Sequence, residues 1–217
     1  MNTSVREPYI FSVPNVEDFR SVAALQTLAF EAKRERFESA AEVEEEHFKT
    51  YQRYARECPE KLELCRIIRS AEGGKTILAA CQLNKRKRLR TNDDDNCEQI
   101  VFVEWIACHP DHMNQGLGSA LLKWASDFTR SELNVDTLSL FVVQANSGAI
   151  RLYRRRGFVL QSPYGGGPPG RCSQACNFLT TILCLGLNRH WNVLTMEKDL
   201  SVKTDIDTLS ITSSNRT

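Results

Sequence analysis

Residues 101–118, VFVEWIACHPDHMNQGLG, constrain the fold more tightly than any other stretch of the chain. An apolar run ends at His109-Pro110 and a polar turn follows. Gly116 and Gly118 flank Leu117, and a helical stripe then opens with Leu117, Leu121, Trp124 and Phe128. Strand, glycine turn and helix start together make an anion cradle. The first helical turn leaves backbone N–H groups without internal partners, and the aligned peptide dipoles add positive potential there. Two glycines let a pyrophosphate approach the main chain with no Cβ in the way. Residues 101–118 contain neither GxGxxG nor Gly-Lys-Ser/Thr, so this is not the dinucleotide or P-loop form of such a cradle.

A second stretch narrows the reading. Residues 146–158 read NSGAIRLYRRRGF. Together the two segments resemble the GNAT N-acetyltransferase superfamily, which has a Gln/Arg-x-x-Gly-x-Gly/Ala turn after its fourth strand. Further on, that family carries an Asn-x-x-Ala-x-x-Leu-Tyr-x-x-x-Gly-Phe helix. Asn146, Ala149, Leu152, Tyr153, Gly157 and Phe158 match the second motif. Met113 departs from the first, standing where the family has Gln or Arg. The resemblance covers residues 101–160 and is only topological before them. It implies an α+β fold, a mixed and mostly antiparallel sheet flanked by helices, with acetyl-CoA as co-substrate. It also implies direct acetyl transfer to a primary amine on a small-molecule or peptide acceptor.

The resemblance further places the pantetheine arm beside the backbone of Ile106, Ala107 and Cys108, paired like an added strand. The pyrophosphate falls on the N–H groups of Met113, Asn114, Gln115, Gly116, Leu117, Gly118 and Ser119. Those contacts use main chain, so Met113 removes a side-chain contact without abolishing the cradle. Asn146 would touch the arm, and Tyr153 would protonate the leaving thiolate; a thiol near pKa 8.5 and a phenol near 10 make that transfer feasible. The alternative for Tyr153 is helix-to-sheet packing. Arg156, like its neighbours Arg151, Arg154 and Arg155, either meets nucleotide phosphates or favours a helix C-terminus.

Amine acetylation needs a neutral attacking amine, donors for the thioester oxygen and a proton for the thiolate. Glu104 is an acid in an otherwise apolar strand, so it is paired or lines a cavity. Burial raises a carboxyl pKa towards neutrality, which suits a general base acting directly or through water. A structural carboxylate paired with Arg or Lys is the competing reading. The strand alternation puts Glu104, Ile106 and Cys108 on one face. No His stands at a spacing that would activate Cys108 for an acyl-enzyme route.

The remainder fits one domain over residues 1–200 and a disordered polar tail over 201–217. Residues 9–13 suit a first strand, and Pro14-Asn15 starts a helix with Val16, Phe19 and Val22 on its apolar side. A second helix runs over 42–56; its acidic start at Glu42, Glu44, Glu45 and Glu46 suits the helix dipole. Strands over 64–70 and 76–83 flank a Gly-Gly hairpin turn at 72–75. Residues 85–96, KRKRLRTNDDDN, read as a polar, mobile loop, with nuclear localisation as the alternative. Strands follow over 100–108 and 137–143, a short one begins at 158, and 191–200 resumes strand character. Residues 165–190 form an irregular insertion before that last strand: a lid, an interaction segment or a gene-model artefact.

Net charge is only +1, and no apolar run approaches the length of about 20 residues that a membrane span needs, so neither nucleic acid nor membrane is an expected partner. The chain starts without a secretory pattern, and its eight cysteines are scattered, which points to a reducing, cytoplasmic setting. Cys172 and Cys176, with Cys184 and His190 as the only nearby helpers, make a poor zinc set, and no metal is expected. Met113 and the irregular late segment keep a second class open: a degenerate module that holds acyl-CoA or a protein partner without turnover.

Overall fold

The computed structural model describes residues 9–30, 39–71, 76–89, 97–161 and 193–201. Strand β1 (Tyr9–Ser12) leads through a 3-10 turn into α1 (Phe19–Ala29), then α2 (Ala40–Glu57) and the single turn α3 (Glu60–Glu63). Strands β2 (Cys65–Ser70), β3 (Ile77–Leu89) and β4 (Cys97–Cys108) follow, then α4 (Leu117–Ser131), β5 (Thr137–Val143), α5 (Ser147–Arg155), β6 (Val159–Leu160) and β7 (Val193–Asp199). They form one seven-stranded sheet in the order β1-β2-β3-β4-β5-β7-β6. Only the β4–β5 pair is parallel, its crossover being α4. The mixed, mostly antiparallel α+β architecture expected from the sequence is what the chain forms.

Local chemistry sets the helix starts. Asn15 accepts from the N–H of Glu17 while Asp18 accepts from that of Asn15, and Ser39 and Glu42 make the same reciprocal box at the head of α2. Asp18 is buried and ion-paired with Arg69 of β2 at 2.6 Å, which fastens the start of α1 to the sheet. Both sheet faces are covered. On one, Phe19, Val22 and Leu25 of α1 and Tyr51 of α2 pack on Ile67, Ile77, Ala80 and Ala107. On the other, Leu117, Leu121, Leu122 and Ala125 of α4 pack on Ile68, Cys81, Leu83, Val103 and Leu138. Each large aliphatic side chain sealed in this way contributes about 1.5–3 kcal/mol.

The structure corrects the loop expected at 85–96. Lys85, Arg86, Lys87, Arg88 and Leu89 continue β3 and pair with Val101 back to Cys97, so β4 also starts three residues earlier than the apolar pattern suggests. Cross-strand charge explains the extension. Arg88 bonds Glu98 at 2.9 Å and also Glu197 of β7, and Arg86 lies over the Phe102 ring at 4.5 Å. The hairpin turn at 72–75, the acidic half of 85–96, the 165–190 insertion with Cys172, Cys176, Cys184 and His190, and the tail from 202 lie outside the described residues. Among the described residues no helix is long and apolar enough to cross a membrane.

Candidate functional site

The sheet opens at its centre. β4 and β5 pair only from Val101↔Leu138 to Val103↔Leu140, although β4 runs on to Cys108 and β5 to Val143. On its other side β4 stays paired with β3 as far as Ala79↔Cys108, and the His109 N–H donates to the Leu78 carbonyl at 2.8 Å. Antiparallel ladders turn main-chain groups to alternate sides. His109, Ala107 and Trp105 therefore spend theirs on β3, whereas Ile106 and Cys108 present N–H and C=O to the gap. Of the three residues expected beside a pantetheine arm, two present backbone to the gap. Ala107 faces α1 and α2 with its side chain and β3 with its main chain.

A β-bulge sits at the mouth of this gap. Gln82 lies opposite Trp105 and Leu83 opposite Val103, so Glu104 is the extra residue of β4. The extra residue resets the alternation. Val103, Ile106 and Cys108 look towards α4, while Glu104 joins Phe102, Trp105 and Ala107 on the side of α1 and α2. The single face expected for Glu104, Ile106 and Cys108 is thus corrected: the bulge puts Glu104 on the opposite face. Its carboxylate accepts from Asn84 Nδ2 at 3.1 Å and lies 3.9 Å from the Arg86 guanidinium. The side chain keeps 28% of its exposure, so it is paired and still reachable. Tyr54 of α2 is close enough that the Glu104 charge, second to burial, raises the phenol pKa.

The turn after β4 is left-handed and open. Asn114 and Gly116 both take positive φ, +62° and +86°, Asn being the side chain that best tolerates that region. A Cβ on Gly116 would meet nothing within 4 Å, so the space above the turn is open. No side chain caps α4, and the first helical bond runs from the Ala120 N–H to the Gly116 carbonyl. The Met113 N–H, expected in the cradle, already donates to the Pro110 carbonyl at 3.3 Å, whereas those of Asn114, Gln115 and Gly116 make no backbone hydrogen bond to a described residue. The Gly118 N–H reaches back to the Cys108 sulfur. Gln115 accepts from the Tyr9 hydroxyl at 3.3 Å, tying the turn to β1, and Met113 is 54% exposed.

α5 closes the α4 side. Asn146 caps it, accepting from the Ala149 N–H at 3.1 Å, so its side-chain oxygen already serves the helix. Leu152 packs so near Gly118 that a Cβ there would come within 3.2 Å of Leu152 Cδ2. Tyr153 is buried beside Cys108. Desolvation, with the Cys108 thiol second, pushes its phenol up to about 12, and no hydrogen bond to another described residue occupies the hydroxyl. Burial likewise pushes the Cys108 thiol up to about 11, opposed by the Gly118 N–H, so it is protonated at neutral pH and a poor nucleophile. Arg156 stands at the C-cap of α5, half-buried, its N–H bonded to the Leu152 and Tyr153 carbonyls. Among the described residues no three His, Cys, Asp or Glu side chains are grouped to hold a metal.

Sequence reasoning did not single out Tyr54, Asn84, Arg86 or Lys61, whose ammonium bonds Asn84 Oδ1 at 2.7 Å. The signal was the two-residue alternation Gln82, Asn84, Arg86 along β3, a polar set on one sheet face. Only the bulge, which sequence does not display, turns Glu104 towards them.

Residues 23–158 match the model of the acetyltransferase (GNAT) family. No curated protein sequence matches the chain. Among solved structures it is similar to a putative acetyltransferase from Salmonella typhimurium with its cofactor acetyl-CoA, at 14% identity and TM-score 0.58, over 91% of this chain and 96% of that one. It is similar to a spermidine N-acetyltransferase mutant from Vibrio cholerae at 16% identity and TM-score 0.56, over 89% and 94%. A third similarity is to the ribosomal-protein-S18-alanine N-acetyltransferase from Escherichia coli, at 19% identity and TM-score 0.50, over 92% and 98%. At these identities the likeness is one of fold.

Proposed function

The chain belongs to the acetyltransferase (GNAT) family, and we propose that it transfers an acetyl group from acetyl-CoA directly to the primary amine of an acceptor. The observation that carries this reading is the succession of three features along the chain: the β4 edge left unpaired by β5 after Val103, the left-handed turn at Asn114 and Gly116, and the uncapped start of α4. An extended amide-bearing arm suits the edge, and a pyrophosphate suits the turn and helix start. Acetyl-CoA, when bound, supplies an activated thioester. The Ile106 and Cys108 main chain orients the arm, and their N–H groups are the nearest donors for charge developing on the thioester oxygen. Glu104, on the other face and reachable from solvent, takes the proton of the ammonium directly or through water. Tyr153 offers its hydroxyl to the departing sulfur. The protonated Cys108 thiol favours direct transfer over an acyl-enzyme. Five described cysteines are free, which suits the cytoplasm.

Met113 favours a second reading, a module that holds acyl-CoA without turnover, because its exposed thioether offers nothing to a phosphate. The test is acetyl-CoA titration by calorimetry of wild type beside Gly116→Trp, which fills the open space over the turn. Binding lost in the variant supports the cradle. Thiol release is then followed with spermidine and with an alanyl-terminated peptide. Absence of binding by folded wild type overturns the acetyl-CoA reading, and binding without turnover on any amine favours the module.

A further inference from the structure

We infer that Lys61 and Asn84 are positioning residues that hold the Glu104 carboxylate in its working orientation, an inference that rests on Glu104 being the base. Three hydrogen bonds carry it. Lys61 Nζ donates to Asn84 Oδ1 at 2.7 Å, Asn84 Nδ2 donates to Glu104 Oε1 at 3.1 Å, and Gln82 Nε2 donates to the Lys61 carbonyl at 2.8 Å. An ammonium has donors and no acceptor, so it can face only the amide oxygen. That fixes which way the Asn84 amide points and leaves its NH2 for Glu104. Without Lys61 the amide is free to turn its oxygen to the carboxylate, replacing attraction by repulsion.

The relay is anchored at both ends. Gln82 is 2% exposed and pins the main chain of α3 to β3, so Lys61 reaches Asn84 from a fixed origin. Glu104 is the bulged residue of β4, and only that bulge puts its side chain on the face of Asn84. The other charged or titratable groups facing Glu104 are Arg86 of β3 and the Tyr51 and Tyr54 phenols of α2. Arg86 stands at 3.9 Å, beyond a direct hydrogen bond, so the oriented amide is the closest donor to the carboxylate. Lys61 lies in the one-turn α3, far in sequence from both glycine-turn and α5 motifs, which is why no motif reveals it.

The test separates this inference from the base assignment. The Glu104 side-chain carboxyl is titrated by 13C NMR in the full-length protein, its resonance identified by loss in Glu104→Gln. Lys61→Met is measured alone and in the Asn84→Leu background. If Lys61 acts through the amide, K61M moves the Glu104 midpoint up by about one pH unit, and by less than half of that once Asn84 is gone. Equal shifts in both backgrounds would mean that Lys61 acts only through space and would overturn the relay, as would no shift at all. Thiol release by Glu104→Gln is read in parallel. Activity equal to wild type removes the base reading whatever the titration shows, while a loss of activity with equal K61M shifts removes only the relay.

Discussion

Replacing Tyr153 by Phe asks how the leaving sulfur is stabilised. The ring stays where it is, 6.0 Å from Phe158 and buried against the α4 side of the sheet, so the fold has no reason to move. What disappears is one hydroxyl. In water a phenol near pKa 10 could hand its proton to a thiolate of a thiol near 8.5 at modest cost. In the folded chain the phenol stands at about 12. Complete transfer is then uphill by about 3.5 pH units, or about 5 kcal/mol. Tyr153 is better suited to donate a hydrogen bond to the departing sulfur and keep its proton, with solvent finishing the protonation. A hydrogen bond to a developing charge is worth about 1.5–3 kcal/mol, so kcat should fall about 10- to 150-fold. The KM for acetyl-CoA should change little, because the bond strengthens only as the sulfur departs. Thiol release at saturating acetyl-CoA, followed from pH 6 to 10, measures this, and no basic limb should arise from Tyr153 in that range. A drop of more than about a thousandfold would refute the hydrogen-bond account in favour of complete proton transfer. A drop below about threefold would leave Tyr153 with packing alone.

Two further predictions concern stability. Gly118→Val sets its Cβ 3.2 Å from Leu152 Cδ2 and 3.7 Å from Cys108 Sγ, and its methyl groups reach further into the contact between α4 and α5. The overpacking should cost about 1–3 kcal/mol and lower Tm by about 2–10 °C, read by thermal unfolding; an unchanged Tm would show that α5 can move aside freely. Alkaline pH should unfold the chain early. Burial raises both Tyr153 and Cys65 to about 12 from ordinary values near 10 and 9. For groups raised in the folded state, the stability they contribute is intact below their unfolded values and is lost as pH climbs towards 12. Each should remove about 1.4 kcal/mol per pH unit across that window, and urea midpoints flat from pH 8 to 11 would contradict it.

Much of the architecture can be read from residues alone where the signal is local. The apolar stripe of Leu117, Leu121 and Trp124, the Gly116 turn and the helix start at Asn15 depend on neighbours within a few positions, and each forms as expected. The strand at 137–143 announces itself by burial on both faces. The misses have one physical origin: they depend on pairing between distant segments. Lys85–Leu89 looks like solvated charge until Glu98 and Glu197 are set across from Arg88. Glu104 alternates with Ile106 and Cys108 on paper, and only a register shift against β3 reverses it. The position of the gap is likewise invisible, because nothing in the composition of β4 or β5 states that their pairing stops at Val103.

The bulge and the splay are best understood as one device. β4 must hold β3 throughout its length while letting β5 go after Val103, and a strand bends where an extra residue is inserted. Placing that residue at position 104, one past the last β5 pairing, bends the strand where the gap has to open. The same insertion changes which side chains see which face. Ile106 and Cys108 keep their main chain for an arm in the gap, with Tyr153 on the α4 side, while Glu104 is sent through to the side of α2. In the proposed reading, a thioester in the gap would be flanked by a hydroxyl on one face and a carboxylate on the other. The proposed direct transfer would use that division, with the amine losing its proton on one side of the carbonyl while the sulfur is stabilised on the other. A regular strand would have put Glu104 beside Cys108, with the base and the leaving group competing for the same space.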